Sequence, residues 1–236
     1  MEKKHIVVDC DEVIVNISPM IVALLHDKES GNFDYYNKYL RLTEDFDIDK
    51  HEERILSRPS FNVINWLIRE NIKEKYSNEE IDEFLDKAMQ EVIFHPELYD
   101  HLQPTPIAKS LAHVANSTML DKISIVTRTS DNNLESKERF LKKLFRGNMN
   151  KVDIYYVEPD ENKSDVICNL GDNIAAIYDD EISNVEDIVF NCDNVKDLQF
   201  LIPSFGYNTE ITQELFDECK RKNIEIKNFY YKTPMG

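Results

Sequence analysis

Short, continuous apolar runs recur along the chain and constrain its fold more than any other feature. The first, Ile6-Val7-Val8, ends directly in acidic residues. Similar runs follow at Ile123–Val126, Ile154–Val157, Ala175–Tyr178, Ile188–Phe190 and Phe200–Ile202, and Ile224–Tyr230 is expected to add an edge strand. Such runs are typical of parallel strands that are buried on both faces. Helical patterns separate several of them, at Glu135–Phe145, Ser164–Leu170 and Thr212–Lys222. The alternation predicts an α/β fold with an open parallel sheet flanked by helices.

The long segment between the first two predicted strands has a mainly helical pattern instead. Ser18-Pro19 is a helix-start signal, and Ser77-Asn78-Glu79-Glu80 is a capping box. Pro104-Thr105-Pro106 then breaks the chain before a helix at Ile107–Asn116 that returns to the sheet. We therefore predict two domains: a core formed by residues 1–17 and 104–236, and an inserted helical domain at residues 18–103.

Chemically active side chains follow the predicted strands. Asp9 and Asp11 come after the first strand, Thr127-Arg128 end the second, and Asp179-Asp180 follow a later one. Lys163 begins the helix before that later strand. Ligands of open α/β sheets bind at the carboxyl ends of the strands, so we expect these groups to share one crevice. Carboxylates, a hydroxyl and an ammonium group together indicate a site for phosphate and a hard cation.

Each residue type has a task in phosphate-ester hydrolysis. A carboxylate nucleophile divides the reaction into two easier steps through an aspartyl-phosphate. A second carboxylate two residues further on can transfer the proton of the leaving oxygen. Mg²⁺ takes oxygen ligands and neutralises the phosphoryl group, while a hydroxyl and an ammonium group bind its remaining oxygens.

The order of these residues resembles the haloacid dehalogenase (HAD) superfamily of phosphohydrolases, whose Rossmann-like core carries an inserted C1 cap at the position of residues 18–103. The resemblance covers essentially the whole chain, and it implies a role for each site residue. It implies Asp9 as nucleophile, Asp11 as acid and base, Thr127, Arg128 and Lys163 as phosphate or substrate ligands, and Asp9, Asp179, Asp180 and the backbone carbonyl of Asp11 as Mg²⁺ ligands.

Two residues depart from the common pattern of that superfamily. Glu12 stands where a glycine is usual, and Val13 stands where a threonine often follows. An Asp-x-Asp-Glu-Val start also occurs in the deoxyribonucleotidase-like branch. Looser similarities to that branch lie at Leu42–Asp45, Leu102–Pro106 and Pro203–Asn208. The resemblance therefore implies a nucleoside monophosphate as substrate.

Some assignments stay open at this point. Lys137 competes with Lys163, which we favour because it precedes the acidic pair by one helix and one strand. Asn184 and Asp187 lie just beyond that pair, and either can reach a metal directly or through water. Arg128 fits a substrate contact or a structural ion pair.

Charge and cysteine content limit the partners. The 28 Lys and Arg residues stand against 45 Asp and Glu residues, a net charge of −17, which disfavours an extended nucleic acid but not a small phosphorylated metabolite. Two alternatives remain: a phosphatase acting on the 3′-phosphates of nucleic-acid ends, and a non-catalytic binding protein of HAD type. The four cysteines lack metal-binding spacing and are expected to be reduced. The N-terminal apolar run is too short for a membrane span or signal peptide, so we predict a cytoplasmic protein without membrane contact.

Overall fold

The computed structural model of the protein describes residues 4–15, 17, 77, 79, 94–158, 160–203 and 211–229. The predicted helices between residues 18 and 93, which make up most of the predicted inserted domain, lie outside the described residues. The predicted stretches at Leu42–Asp45 and most of Pro203–Asn208 lie outside them as well. The architecture below is therefore that of the described residues.

Six strands form one sheet in the order β3-β2-β1-β4-β5-β6, and every neighbouring pair is parallel. The strands are β1 (His5–Val8), β2 (Lys122–Arg128), β3 (Val152–Val157), β4 (Ile174–Tyr178), β5 (Gln199–Pro203) and β6 (Glu225–Phe229). Each coincides with a predicted apolar run, including the edge strand at the end. The predicted α/β fold with a parallel sheet is confirmed.

Helices connect the strands. They are α1 (Leu98–His101), α2 (Pro106–Ala115), α3 (Leu134–Leu144), α4 (Lys163–Ile167), α5 (Ile182–Asn191) and α6 (Gln213–Arg221), with a 3₁₀ turn at Met149–Lys151. Two of them begin as their sequences require. Thr105 caps α2 by accepting a hydrogen bond from the backbone N–H of Ala108, and Pro106 occupies the first turn. Thr212 caps α6 in the same way through Leu215.

Two apolar cores cover the two faces of the sheet. Val8 and Ile125 pack with residues of α1, α2 and α3 on one face. Val7 and Val126 pack with residues of α4, α5 and α6 on the other. Successive residues of a strand point to opposite faces, so strands covered on both sides must be apolar throughout. This explains why the runs are continuous rather than alternating.

One predicted strand is wrong. Ile188–Phe190 lies inside α5 (Ile182–Asn191), where Val185, Ile188 and Val189 are buried and Phe190 is exposed. Residues at i, i+3 and i+4 share one face of a helix, so this burial pattern has helical periodicity. A three-residue apolar run does not by itself distinguish a strand from part of such a helix.

The prediction of four reduced cysteines is also wrong. Cys168, which follows α4, and Cys192, which follows α5, form a disulfide, whereas Cys10 and Cys219 are free and buried. The bond joins the ends of two helices that pack against each other on one face of the sheet. Among the described residues, no helix has both the length and the apolar character needed to cross a membrane.

Candidate active site

The site lies where the strand order changes direction. From β1 the chain adds β2 and β3 on one side of the sheet and then β4, β5 and β6 on the other. Val8 of β1 pairs with Tyr178 of β4, and the Asp9 N–H donates to the Tyr178 carbonyl at 2.8 Å. Asp9 and Asp179 therefore leave neighbouring strands side by side. A crevice at such a switch point is the usual ligand site of an open α/β sheet.

Three carboxylates meet in this crevice. Asp9, Asp179 and Asp180 each offer an oxygen, and these atoms lie within 4.8 Å of one another. Burial, together with the charges of Asp179 and Asp11, raises the pKa of Asp9 to about 7 against the opposing effect of Lys163. Hard oxygen donors crowded around one point could hold a hard metal ion, which relieves such charge repulsion by taking carboxylate ligands. Of the predicted Mg²⁺ ligands, Asp11 alone contributes no side-chain oxygen to the cluster.

Lys163 lies between two of these carboxylates. It is the first residue of α4 and only 2% exposed, and its Nζ is 2.7 Å from Asp9 Oδ2 and 2.8 Å from Asp179 Oδ2. Burial by itself lowers the pKa of Lys163, but the charges of Asp179 and Asp9 and their hydrogen bonds outweigh it and hold that pKa above its usual value. The lysine thus stays charged beside the expected nucleophile.

A second buried lysine serves the other predicted catalytic aspartate. Lys137 of α3 donates to Asp11 Oδ2 and to Thr127 Oγ1, each at 3.1 Å, and to the Arg128 carbonyl at 2.6 Å. Tyr99 donates its hydroxyl to the other oxygen of Asp11, Oδ1, at 2.7 Å. Burial, followed by the charge of Asp11, raises the pKa of Tyr99, so this hydroxyl keeps its proton.

Arg128 takes part in a polar network beside the carboxylates. Its guanidinium donates to Asn184 Oδ1 at 3.2 Å and lies 3.6 Å from Glu181 Oε2. Asn184 in turn donates to Asp179 Oδ1 at 3.0 Å and to Glu181 Oε2 at 3.1 Å. Asn184 therefore orients a carboxylate of the cluster through a direct hydrogen bond.

Of the two alternatives left open beside the acidic pair, only Asn184 touches the cluster. Asp187 accepts a hydrogen bond from the Ser164 N–H at 3.3 Å, so it holds the first turn of α4 instead. That turn carries Lys163. Asp187 thus contributes to the site indirectly, by holding the helix turn that positions Lys163.

The turn after β1 shows why glycine is usual at the position of Glu12 and how a glutamate is accommodated there. Glu12 has φ +57°, a left-handed conformation that glycine adopts without strain. The N–H groups of Ile14 and Val15 both donate to the Cys10 carbonyl, which closes the turn. Glu12 Oε1 accepts a hydrogen bond from the Ile17 N–H at 3.0 Å. This contact helps to offset the conformational cost of a residue other than glycine.

A pocket of about 190 Å³ opens beside Asp11. Its wall combines apolar and aromatic side chains with hydroxyl, amide and cationic groups. The lining residues are Asp11, Ile17, Phe94, Leu98, Tyr99, Arg128, Thr129, Ser130, Asn133 and Lys137. The buried Ser130 Oγ and Arg128 Nε have no hydrogen-bond partner within the structure as described.

The predicted site residues come together in this structure. Asp9, Lys163, Asp179 and Asp180 surround one point, and Thr127, Arg128 and Asp11 lie beside it. Tyr99 and Glu181 were not predicted from the sequence as site residues, and Lys163 was favoured over Lys137. A signal existed for Lys137, because its place in the first turn of the helix after β2 brings it to the same edge of the sheet.

Comparisons with known proteins return distant structural similarity. No family model matches the chain, and no curated protein matches it. A dehalogenase solved with an intermediate complex is similar over 94% of this chain and 98% of its own, at 9% identity and a TM-score of 0.42. Two structures described as haloacid dehalogenase-like hydrolases are also similar. The one from Burkholderia xenovorans has 9% identity and a TM-score of 0.45, covering 97% of this chain and 96% of its own. The one from Xanthomonas campestris has 13% identity and a TM-score of 0.42, covering 92% and 89%.

Proposed function

We propose that the protein is a Mg²⁺-dependent phosphomonoesterase of HAD type that acts through an aspartyl-phosphate. The observation that carries this proposal is the cluster of Asp9, Asp179 and Asp180 with Lys163 held against two of its members. A site that concentrates carboxylates around one point suits a substrate whose negative charge a cation must balance. A dehalogenase has a neutral carbon centre and a halide leaving group, which needs neither the cation nor a proton donor.

Asp9 and Asp11 perform different parts of the proposed reaction. An Asp9 oxygen attacks phosphorus, the ester P–O bond breaks, and the Asp11 carboxyl gives its proton to the leaving oxygen. Water then attacks the phosphorus of the aspartyl-phosphate while Asp11 takes a proton from that water. The P–O bond to Asp9 breaks, and inorganic phosphate leaves. Mg²⁺ bound by the cluster would supply charge neutralisation and orientation of the phosphoryl group.

The remaining residues bind and orient. Thr127 Oγ1, at the end of β2, and Lys163 Nζ, at the start of α4, would contact phosphoryl oxygens, because both lie at the edge of the sheet that carries the carboxylates. The pocket beside Asp11 would receive the leaving group. Its aromatic and apolar wall with hydroxyl and amide groups supports a nucleoside monophosphate as the preferred substrate. The cytoplasmic location predicted from the sequence is kept as part of the proposal.

A substrate panel tests the proposal. Nucleoside monophosphates, sugar phosphates, oligonucleotides with 3′-phosphates and haloacids are compared with Mg²⁺ and with EDTA. We expect phosphate release that requires the metal, strongest with a mononucleotide, and no turnover in Asp9→Asn. Mass spectrometry of the quenched enzyme should find phosphate on Asp9. Halide release, or phosphatase activity that survives Asp9→Asn, would refute the mechanism. Faster turnover of oligonucleotide 3′-phosphates than of mononucleotides would refute the proposed substrate but not the mechanism.

A further inference from the structure

Lys137 is a buried cation whose hydrogen bonds all point into the candidate site. Its side chain is 1% exposed, and its acceptors are Asp11 Oδ2, Thr127 Oγ1 and the Arg128 carbonyl. It also lies 4.8 Å from the centre of the Tyr99 ring. A buried ammonium group is costly unless it is paired and hydrogen-bonded. Its position next to Asp11 therefore calls for a task that an apolar side chain could not perform.

Tyr99 and Lys137 together hold both oxygens of Asp11. The tyrosine hydroxyl donates to Oδ1 and the lysine donates to Oδ2, so the carboxylate plane is fixed from two sides. A carboxylate has about four acceptor positions, and this arrangement fills two of them. The other two stay available for a water molecule. The Asp11 side chain is 33% exposed, so water can reach it.

The same lysine orients Thr127. A threonine hydroxyl has one proton and two lone pairs, and Lys137 occupies a lone pair of Thr127 Oγ1. The hydroxyl proton must then point elsewhere, and within the described residues its acceptor is the Arg128 carbonyl at 3.2 Å, a long contact for an O–H donor. That proton can turn to a phosphoryl oxygen. One cation thereby sets the direction of both neighbours.

We propose that Tyr99 and Lys137 are positioning residues for the second half of the reaction, in which Asp11 accepts a proton from water. This rests on the proposed function. Two donors on the two oxygens hold the carboxylate in one orientation for the proton transfer. In that step the water O–H bond breaks, Asp11 takes the proton, the water oxygen bonds to phosphorus, and the electron pair of the broken P–O bond returns to Asp9. Lys163 serves Asp9, and Lys137 with Tyr99 serves Asp11.

Steady-state and transient kinetics with para-nitrophenyl phosphate and Mg²⁺ test this proposal, using Tyr99→Phe and Lys137→Met. Slower hydrolysis of the aspartyl-phosphate lowers kcat and KM together, so kcat/KM should change little. We expect kcat to fall about 10- to 100-fold, at or below the lower limit of what a positioned general base contributes, because Asp11 itself remains and only its orientation is lost. A burst of nitrophenolate that approaches one per enzyme should appear, with phosphate trapped on Asp9. The reduced kcat should also be the same for other aryl phosphates whose acidic leaving groups need no proton from Asp11, because these esters share one intermediate.

Matched variants separate this role from general effects. Lys143→Met removes an exposed lysine of the same helix, and Tyr155→Phe removes a tyrosine hydroxyl far from Asp11; both should keep the wild-type kcat without a burst. If Lys137→Met does not fold, Tyr99→Phe, which deletes one oxygen, carries the test alone. A loss of kcat/KM as large as the loss of kcat, with no burst, would overturn the proposal. A wild-type enzyme without phosphatase activity would refute the proposed function itself.

Discussion

Replacing Asp9 with asparagine should stabilise the metal-free protein while it abolishes turnover. The Asp9 carboxyl is 8% exposed and shares its crevice with the Asp179 and Asp180 carboxylates. Its pKa rises from 3.8 to about 7, which corresponds to about 4 kcal/mol of penalty on the ionised form. Asparagine has nearly the same shape and no charge. It removes that penalty and the repulsion on its two neighbours.

The dependence on pH follows from the direction of the shift. Because the folded pKa of Asp9 lies above the unfolded value, the native state binds more protons than the unfolded state between about pH 4 and pH 7. Proton binding to Asp9 therefore makes its full contribution to the free energy of unfolding below the unfolded pKa of Asp9. That contribution is lost as the pH rises through about 7. The advantage of Asp9→Asn should be small at pH 4 and should grow to at most about 4 kcal/mol at pH 8.

Urea unfolding followed by circular dichroism measures the difference. Wild type and Asp9→Asn are compared in EDTA at pH 5 and pH 8, and then with Mg²⁺ at pH 8. The proposed binding of the ion to the native carboxylates should stabilise wild type strongly and the variant much less. Equal stabilities at pH 8 in EDTA, or a variant that is less stable there, would refute the conclusion that burial near other carboxylates destabilises the ionised form of Asp9.

Three further changes test separate parts of the core. Lys163→Met leaves two buried carboxylates without their cation and should destabilise the metal-free protein by about 3–5 kcal/mol in urea unfolding, whereas Lys142→Met, on an exposed helix face, should change little. Cys168→Ser opens a disulfide between residues 24 apart and should cost about 3–4 kcal/mol; the same loss should appear in wild type with dithiothreitol, and insensitivity to the reductant would contradict the bond. Glu12→Gly should be about 1 kcal/mol more stable than Glu12→Ala, because both lose the side-chain contact and only glycine takes positive φ without strain; identical unfolding midpoints would argue against the strain.

The sequence was sufficient for the sheet and for the residues at its strand ends. Burial on both faces forces continuous apolar strands, and parallel strands deliver their carboxyl ends to one edge. The register of β1 against β4 then brings the acids together, because pairing of Val8 with Tyr178 puts Asp9 beside Asp179. Local patterns were therefore enough to anticipate which acids meet.

Contacts that depend on tertiary structure escaped the sequence. Lysines in amphipathic helices are usually exposed, so the sequence favoured Lys163 over Lys137, although only five residues separate the end of β2 from the start of α3. Tyr99 reaches Asp11 across 88 positions of chain, and Cys168 reaches Cys192 across 24, without any local signal. Ile188–Phe190 failed for a different reason, since the longer Val185–Val189 window already had helical spacing.

The two aspartates of the Asp9-Cys10-Asp11 turn have been given opposite surroundings by one fold. Asp9 is buried among carboxylates and paired with Lys163, on the side where a cation fits. Asp11 points to the pocket, is partly exposed, and is held by Tyr99 and Lys137 outside the carboxylate cluster. Carboxyl groups whose environments differ in this way are suited to different tasks, one as nucleophile and one as proton carrier. Because the lysines come from helices on opposite faces of the sheet, each task can be altered by a substitution that leaves the other pair in place.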